Sequence, residues 1–215
     1  MTGKLPPSAS VAQALEGAKL NAPAAVRNAD YICDLLKTHA PQNGKALEIA
    51  SGTGQHVIAF AAALPDLHWH PTEVSADRIA SINAYRADAP KAQIAPATHL
   101  DATQAGWHQN IEAQDCIVLI NLLHLISTEA ARTLITEAVA ALAPKGKFFV
   151  YGPFMRGGVL TSEGDARFHA QLSEADPAIG YKSDDDIDAW MRAAGTREVQ
   201  RIEMPANNLA FIARR

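Results

Sequence analysis

Ala46-Leu-Glu-Ile-Ala-Ser-Gly-Thr-Gly-Gln-His56 decides how this 215-residue chain is read. An apolar run carrying one acidic residue, Glu48, leads into the turn Gly52-Thr53-Gly54, and a helix-compatible segment, 57–64, follows. Glycine has no Cβ, so a strand ending in such a turn brings backbone N–H groups close to a ligand. A carboxylate just upstream can meet a cationic or hydroxyl-bearing part of that ligand. The combination points to a nucleoside cofactor at the carboxyl end of a central strand.

Two cofactors compete for the turn. A dinucleotide fingerprint is Gly-x-Gly-x-x-Gly/Ala, whose third small residue lets helix and strand pack closely. Here that third place holds the β-branched Val57. A charge at Glu48 would also repel a pyrophosphate. S-adenosylmethionine has no phosphates and carries an amino group and a sulfonium, both suited to an acid. It therefore ranks ahead of NAD.

Outward from the turn, strand and helix alternate. Apolar side chains recur at helical spacing over 24–37, and Pro41 with Asn43-Gly44 turns the chain into a first strand over 45–50. A helix over 55–64, a strand over 67–73 and a helix capped by Ser75 follow. A weak strand is expected over 92–98, and the most apolar strand over 115–121. A helix capped by Ser127 runs to Leu142, ahead of a strand over 145–151. Ser183, with Asp186 three residues on, reads as the start of another helix. Strands over 199–204 and 209–213 close the chain. Residues 1–22 read as a mobile arm with at most a short helix over 11–19. The remaining 23–215 read as a single domain, with an insertion over 153–181 containing a short helical piece at 167–172. The expected fold class is α/β: a Rossmann-like, doubly wound, mostly parallel sheet with an antiparallel strand near the C-terminus.

In such a sheet ligands lie off the carboxyl ends of the strands. The turn ends the first strand, Glu73 the second, Asp101 follows the third, and Asn121 ends the fourth. Each alone is an ordinary turn residue, but four at successive strand ends form a constellation. The cofactor candidates are Glu48, Ala50, Ser51, Gly52, Gly54, Gln55 and His56, with Glu73 for ribose hydroxyls, Asp101 and Ala102 for adenine, and Asn121. His124, on the loop after the fourth strand, is the candidate base. Tyr151, Asn207 and Asn208 point to the same rim.

Bulk properties narrow the function. The chain is 48% hydrophobic and 20% charged, as soluble globular proteins are. A net charge of −4 leaves no electrostatic footprint for nucleic acid or an anionic membrane. No stretch reaches the roughly 20 apolar residues of a membrane span, and the first residues lack the apolar core of a secretory signal. Cys33 and Cys116 sit in apolar surroundings, as free thiols of a cytoplasmic protein would. His68 and His70 face one side of a strand without a third ligand, so no metal is expected. No Gly-x-Ser-x-Gly elbow is present.

With these residues in hand, the chain resembles the methyltransferase-like protein 26 family of S-adenosylmethionine-dependent methyltransferase-like proteins. The resemblance covers nearly everything from about Pro23. It rests on Arg27-Asn28, Leu47 to His56, Trp69-His-Pro71 leading to Glu73, Leu100-Asp101, Asn121-Leu-Leu-His124, Tyr151-Gly-Pro153 and Met204-Pro-Ala-Asn-Asn208. Glu73 stands where similar proteins commonly have Asp, and Thr161-Ser-Glu-Gly164 departs from the usual insertion. The resemblance implies a seven-stranded methyltransferase sheet and S-adenosylmethionine, with S-adenosylhomocysteine as product. It adds Arg27 and Asn28 to Tyr151, Asn207 and Asn208 as candidates on the acceptor side. The expected function is methyl transfer to a small molecule, with cofactor binding without turnover as the alternative. Assembly state has no signal in the sequence.

Overall fold

A switch between helical and alternating apolar periods divides the chain into elements, and the computed structural model describes them over residues 5–6 and 9–215. β1 (Gln13–Ala14) and β2 (Leu20–Asn21) pair antiparallel. The helix expected over 11–19 is thus replaced by a small hairpin. Gly17 turns it at φ 67°, and tertiary bonds pin it: Leu20 N–H donates to Ser81 Oγ, and the Tyr85 hydroxyl to Leu20 O.

From there the elements run α1 (Pro23–His39), β3 (Gly44–Ile49), α2 (Gln55–Ala63), β4 (Leu67–Glu73), α3 (Ala76–Ala87) and β5 (Thr98–His99). A 3₁₀ turn at Trp107–Asn110, β6 (Gln114–Ile120), a second 3₁₀ turn at Leu123–Leu125, α4 (Thr128–Ala141) and β7 (Leu142–Pro153) follow. The last elements are α5 (Glu163–Ala175), α6 (Asp184–Ala193), β8 (Glu198–Met204) and β9 (Asn208–Arg214). Pro23 opens α1, where its missing N–H costs nothing. Ser75, Ser127 and Ser162 accept N–H bonds at the starts of α3, α4 and α5. Ser183 makes no such cap bond to α6.

Seven strands form one sheet in the order β5-β4-β3-β6-β7-β9-β8. β3 to β7 run parallel, and β9 is antiparallel to both its neighbours. Cys116 to Leu119 of β6 are fully buried because helices cover both faces. On one face α1, α2 and α3 pack Leu36, Phe60 and Ile82 against Ala46, Cys116 and Val118. On the other, α4 and α6 pack Leu134, Ile135, Ile187 and Met191 against Leu47, Ile117 and Leu119. The strand expected over 92–98 reduces to a bridge between Trp69 and Ile94 plus the two residues of β5. The helix expected over 167–172 extends to thirteen residues as α5. It packs Leu172 with Ile179 and Tyr181 into a third, smaller cluster reached by Leu5, Ala9 and Leu125.

Candidate functional site

Above the carboxyl ends of β3, β4 and β6 lies a cavity of about 620 Å³, within the size range of small-molecule sites. The chain reverses there under strain. Ala50 and Asn121, just past β3 and β6, both hold φ 54°, a left-handed backbone that non-glycine residues adopt at a cost of about 1–3 kcal/mol. Gly52 follows at φ 60°, and a Cβ placed on it would meet nothing within 4 Å. This open turn forms part of the cavity wall. Gly54, at φ 94°, is bare for another reason: a Cβ there would lie 2.8 Å from the Cα of Ile82.

Glu73 organises the turn. Its carboxylate is 4% exposed and accepts N–H bonds from Gly52 at 2.9 Å, Val74 at 2.8 Å and Ser75 at 3.3 Å. It lines the cavity together with Asp101 and Ala102. Burial favours a protonated Asp101. Hydrogen bonds from the Thr103 hydroxyl and amide and from Gln104 outweigh that and hold its carboxyl below the usual range. The cavity floor is apolar, with Ile49, Leu100 and Ile120.

Glu48 is placed otherwise. It pairs across the sheet with Val118, so its side chain lies on the face covered by α1 and α2, and it does not line the cavity. It is 1% exposed, and its Oε2 has no hydrogen-bond partner. Burial pushes its carboxyl up to about 8; a bond with the Ser51 hydroxyl opposes the rise and the charge of Glu73 adds to it. At neutral pH Glu48 is therefore protonated, and the charge that sequence reasoning assigned to it is absent. A pH dependence follows. The folded chain holds a proton at Glu48 that the unfolded chain, near pH 4.5, has released. The stability this contributes is complete below about pH 4.5 and is lost as pH rises to about 8, at up to about 1.4 kcal/mol per unit. Glu48→Gln is expected to flatten that slope and to be the more stable protein at pH 8. Denaturant unfolding between pH 5.5 and 8.5 checks this, and parallel curves for the two proteins would refute it.

Of the other sequence candidates, Arg27, Ser51, His56 and Asn121 line the cavity. Asn28 lies behind it, bonded to His56 at 2.7 Å and to the Tyr151 hydroxyl. Burial drives the His56 imidazole down to about 4, so it is neutral, and burial raises the Tyr151 phenol. Gln55 faces the N-terminal hairpin, accepting from Ala22 N–H and donating to Asn21.

His124, the candidate base, lies away from the cavity. Its ring is 6% exposed, turned edge-on to Phe168 and Tyr181 of the insertion, and absent from the cavity wall. Burial, aided by the nearby Lys182 charge, lowers it to about 3. Lys182, itself lowered by burial to about 8, donates to the carbonyls of Ile126 and Gly180 and ties this loop to the insertion. Tyr151, Asn207 and Asn208 also miss the cavity. The turn between β8 and β9 packs on the insertion instead, with the Asn207 amide donating to Asp165 and Arg156 donating to Glu203 and to the Asn207 and Asn208 carbonyls.

Several wall residues escaped sequence reasoning, Arg78 and the arm residues among them. Arg78 projects from the first turn of α3, a place the strand-end rule could have indicated. Its guanidinium donates to Ser10. Ser10 and Val11 of the arm, and Ala22 to Ala24 at the start of α1, also line the cavity; small, aperiodic residues carry no such signal. Among the described residues, no three His, Cys, Asp or Glu side chains could together hold a metal ion, and no helix is long and apolar enough to cross a membrane.

Solved structures share this fold. The chain superposes with a TM-score of 0.76 on an O-methyltransferase family protein from Burkholderia thailandensis, at 18% identity. It does so equally, at 19% identity, on a putative O-methyltransferase from Nostoc punctiforme. Human N-acetylserotonin methyltransferase in complex with S-adenosylmethionine matches with a TM-score of 0.74 and 12% identity. These likenesses cover 89–90% of this chain but only 52–57% of theirs, so it spans little more than half their length. At such identities they show the fold: that of S-adenosylmethionine-dependent methyltransferases, with the antiparallel strand near the C-terminus. The family model described as "Protein of unknown function (DUF938)" matches residues 19–215, and the chain belongs to that family.

Proposed function

We propose that this DUF938 member is an S-adenosylmethionine-dependent methyltransferase acting on a small-molecule acceptor. The observation that carries the reading is the Glu73 carboxylate, buried at a strand end, bonded to the bare Gly52 turn and lining the same cavity as Asp101. The donor set fits a nucleoside without phosphates: carboxylates for ribose hydroxyls at Glu73 and for an adenine amine at Asp101, apolar walls for the base, and open backbone for the methionine part. The resemblance to methyltransferase-like protein 26 accords with it. Ordinary net charge and two buried free cysteines accord with a small acceptor and a reducing compartment such as the cytosol.

When bound, the cofactor supplies a methyl group already activated by its sulfonium, so the protein's task is positioning. Leu122, Leu125 and Val11 provide apolar wall. Among the titratable side chains of the wall, burial holds the His56 imidazole down to about 4, and hydrogen bonds hold the Asp101 carboxyl below its usual range. An acceptor that brings its own unprotonated nucleophile suits such a wall. The same observation favours the alternative, a protein that binds the cofactor without turnover.

Calorimetric titration with S-adenosylhomocysteine and NAD tests the cofactor; binding of NAD alone would reject the assignment. Incubation with methyl-labelled cofactor and a metabolite extract separates the two readings. Label on a new compound establishes transfer, and binding without any such product establishes the alternative.

A further inference from the structure

The charges on the cavity wall do not match. Both acids there are occupied: Glu73 accepts three backbone N–H groups, and Asp101 accepts from Thr103 and Gln104. Neither basic side chain forms an ion pair among the described residues. Arg78 at least donates to Ser10, whereas the Arg27 guanidinium has no hydrogen-bond partner among the described residues. A guanidinium presents a planar fork of donors matched to a carboxylate, and it keeps its charge at every accessible pH.

Its place is specific. Arg27 lies in the second turn of α1, next to Asn28, whose side chain bonds His56 at the start of α2. That sets it beside the Gly52 turn, across the strand ends from Asp101 at the β5 edge. Ala22 to Ala25 at the head of α1 line the same side; this seventeen-residue helix has no acidic residue in its first turn and no side-chain cap. The head of α1 therefore adds positive potential to that of the guanidinium. Lys182 serves two carbonyls, and Arg201 pairs with Asp184, Asp185 and Asp188.

We propose that the cavity takes a carboxylate on Arg27. The inference rests on the proposed cofactor site and extends it. A sulfonium nucleoside with an amino-acid tail has one anionic group, its α-carboxylate, and this is one source. The other is an acid acceptor, which would also arrive without a proton to remove. The chemistry of recognition is the same.

The test compares the parent protein with Arg27→Met, an exposed position whose substitution leaves the core untouched. Each is titrated with S-adenosylhomocysteine and with 5′-methylthioadenosine, the same nucleoside without the amino-acid tail. Benzoate is then titrated with and without S-adenosylhomocysteine present. If the tail is the source, Arg27→Met lowers affinity for S-adenosylhomocysteine roughly 10–100-fold and leaves methylthioadenosine within about twofold. Arg27→Lys recovers part of the loss. If the acceptor is the source, both nucleosides bind unchanged and benzoate binding to the parent disappears in Arg27→Met. Equal affinities of both proteins for S-adenosylhomocysteine and for benzoate overturn the proposal, as does a parent that binds benzoate in neither state and holds both nucleosides equally. A parent that binds neither nucleoside rejects the cofactor reading instead, and benzoate on the free protein still decides Arg27.

Discussion

Glu73→Ala is expected to weaken binding of S-adenosylhomocysteine by about 1–3 kcal/mol, roughly 5–150-fold in dissociation constant. Two losses add. The ribose hydroxyls lose a charged acceptor, and the Gly52, Val74 and Ser75 N–H groups lose the atoms that align them. The second loss also touches stability, because the side chain is buried. Calorimetry therefore needs denaturant unfolding beside it. Glu73→Gln separates the parts, retaining one acceptor oxygen but turning an amide donor toward backbone N–H. It should bind more weakly than the parent and more tightly than Glu73→Ala. A dissociation constant unchanged in both variants removes Glu73 from the site and the proposed function with it.

Gly54→Ala is expected to act on the fold. A methyl group there lies 2.8 Å from the Ile82 Cα and 3.1 Å from its Cγ1, and Ile82 is fully buried. Backbone cannot swing aside as a side-chain tip can, so α2 and α3 must part. Left-handed backbone on alanine costs about 1–2 kcal/mol and overpacking about 1–3, so about 2–5 kcal/mol together. For a chain of this length that is a fall in Tm of roughly 4–20 °C. Gly52→Ala is the matched comparison. It bears only the backbone cost, about 1–2 kcal/mol, since nothing stands within 4 Å of the new methyl group. Its larger effect should be on cofactor affinity. Equal melting temperatures for the two variants would show that Gly54 is not a packing position.

The sheet and the ends of its strands were legible because both depend on sequence periods that survive folding. Glu73, Asp101 and Asn121 could be placed from the alternation alone, and all three line the cavity. What a strand end does not reveal is the face a nearby side chain takes. Glu48 lies near the same end as Ser51, yet the alternation of β3 sends it under α1 and α2. His124 sits on the right loop, but the turn rolls it onto Phe168 and Tyr181, partners more than forty residues away in a segment without clear period. Asn207 and Asn208 likewise lie away from the cavity, since Asp165 and Arg156 hold their turn on the insertion. The arm misled by composition. Alanine and leucine over 11–19 favour a helix locally, and bonds to Ser81 and Tyr85 hold a hairpin.

The place of β9 bears on how the chain leaves the ribosome. It lies between β7 and β8, bonded to both, although both precede it in the sequence. Until residues 208–214 emerge, β8 has nothing to pair with, and the β7 edge carrying Phe148 to Tyr151 stands open to other nascent chains. Completion of the sheet thus waits on residues 208–214, and a chain halted before them would leave the β7 edge unpaired and open to aberrant strand pairing.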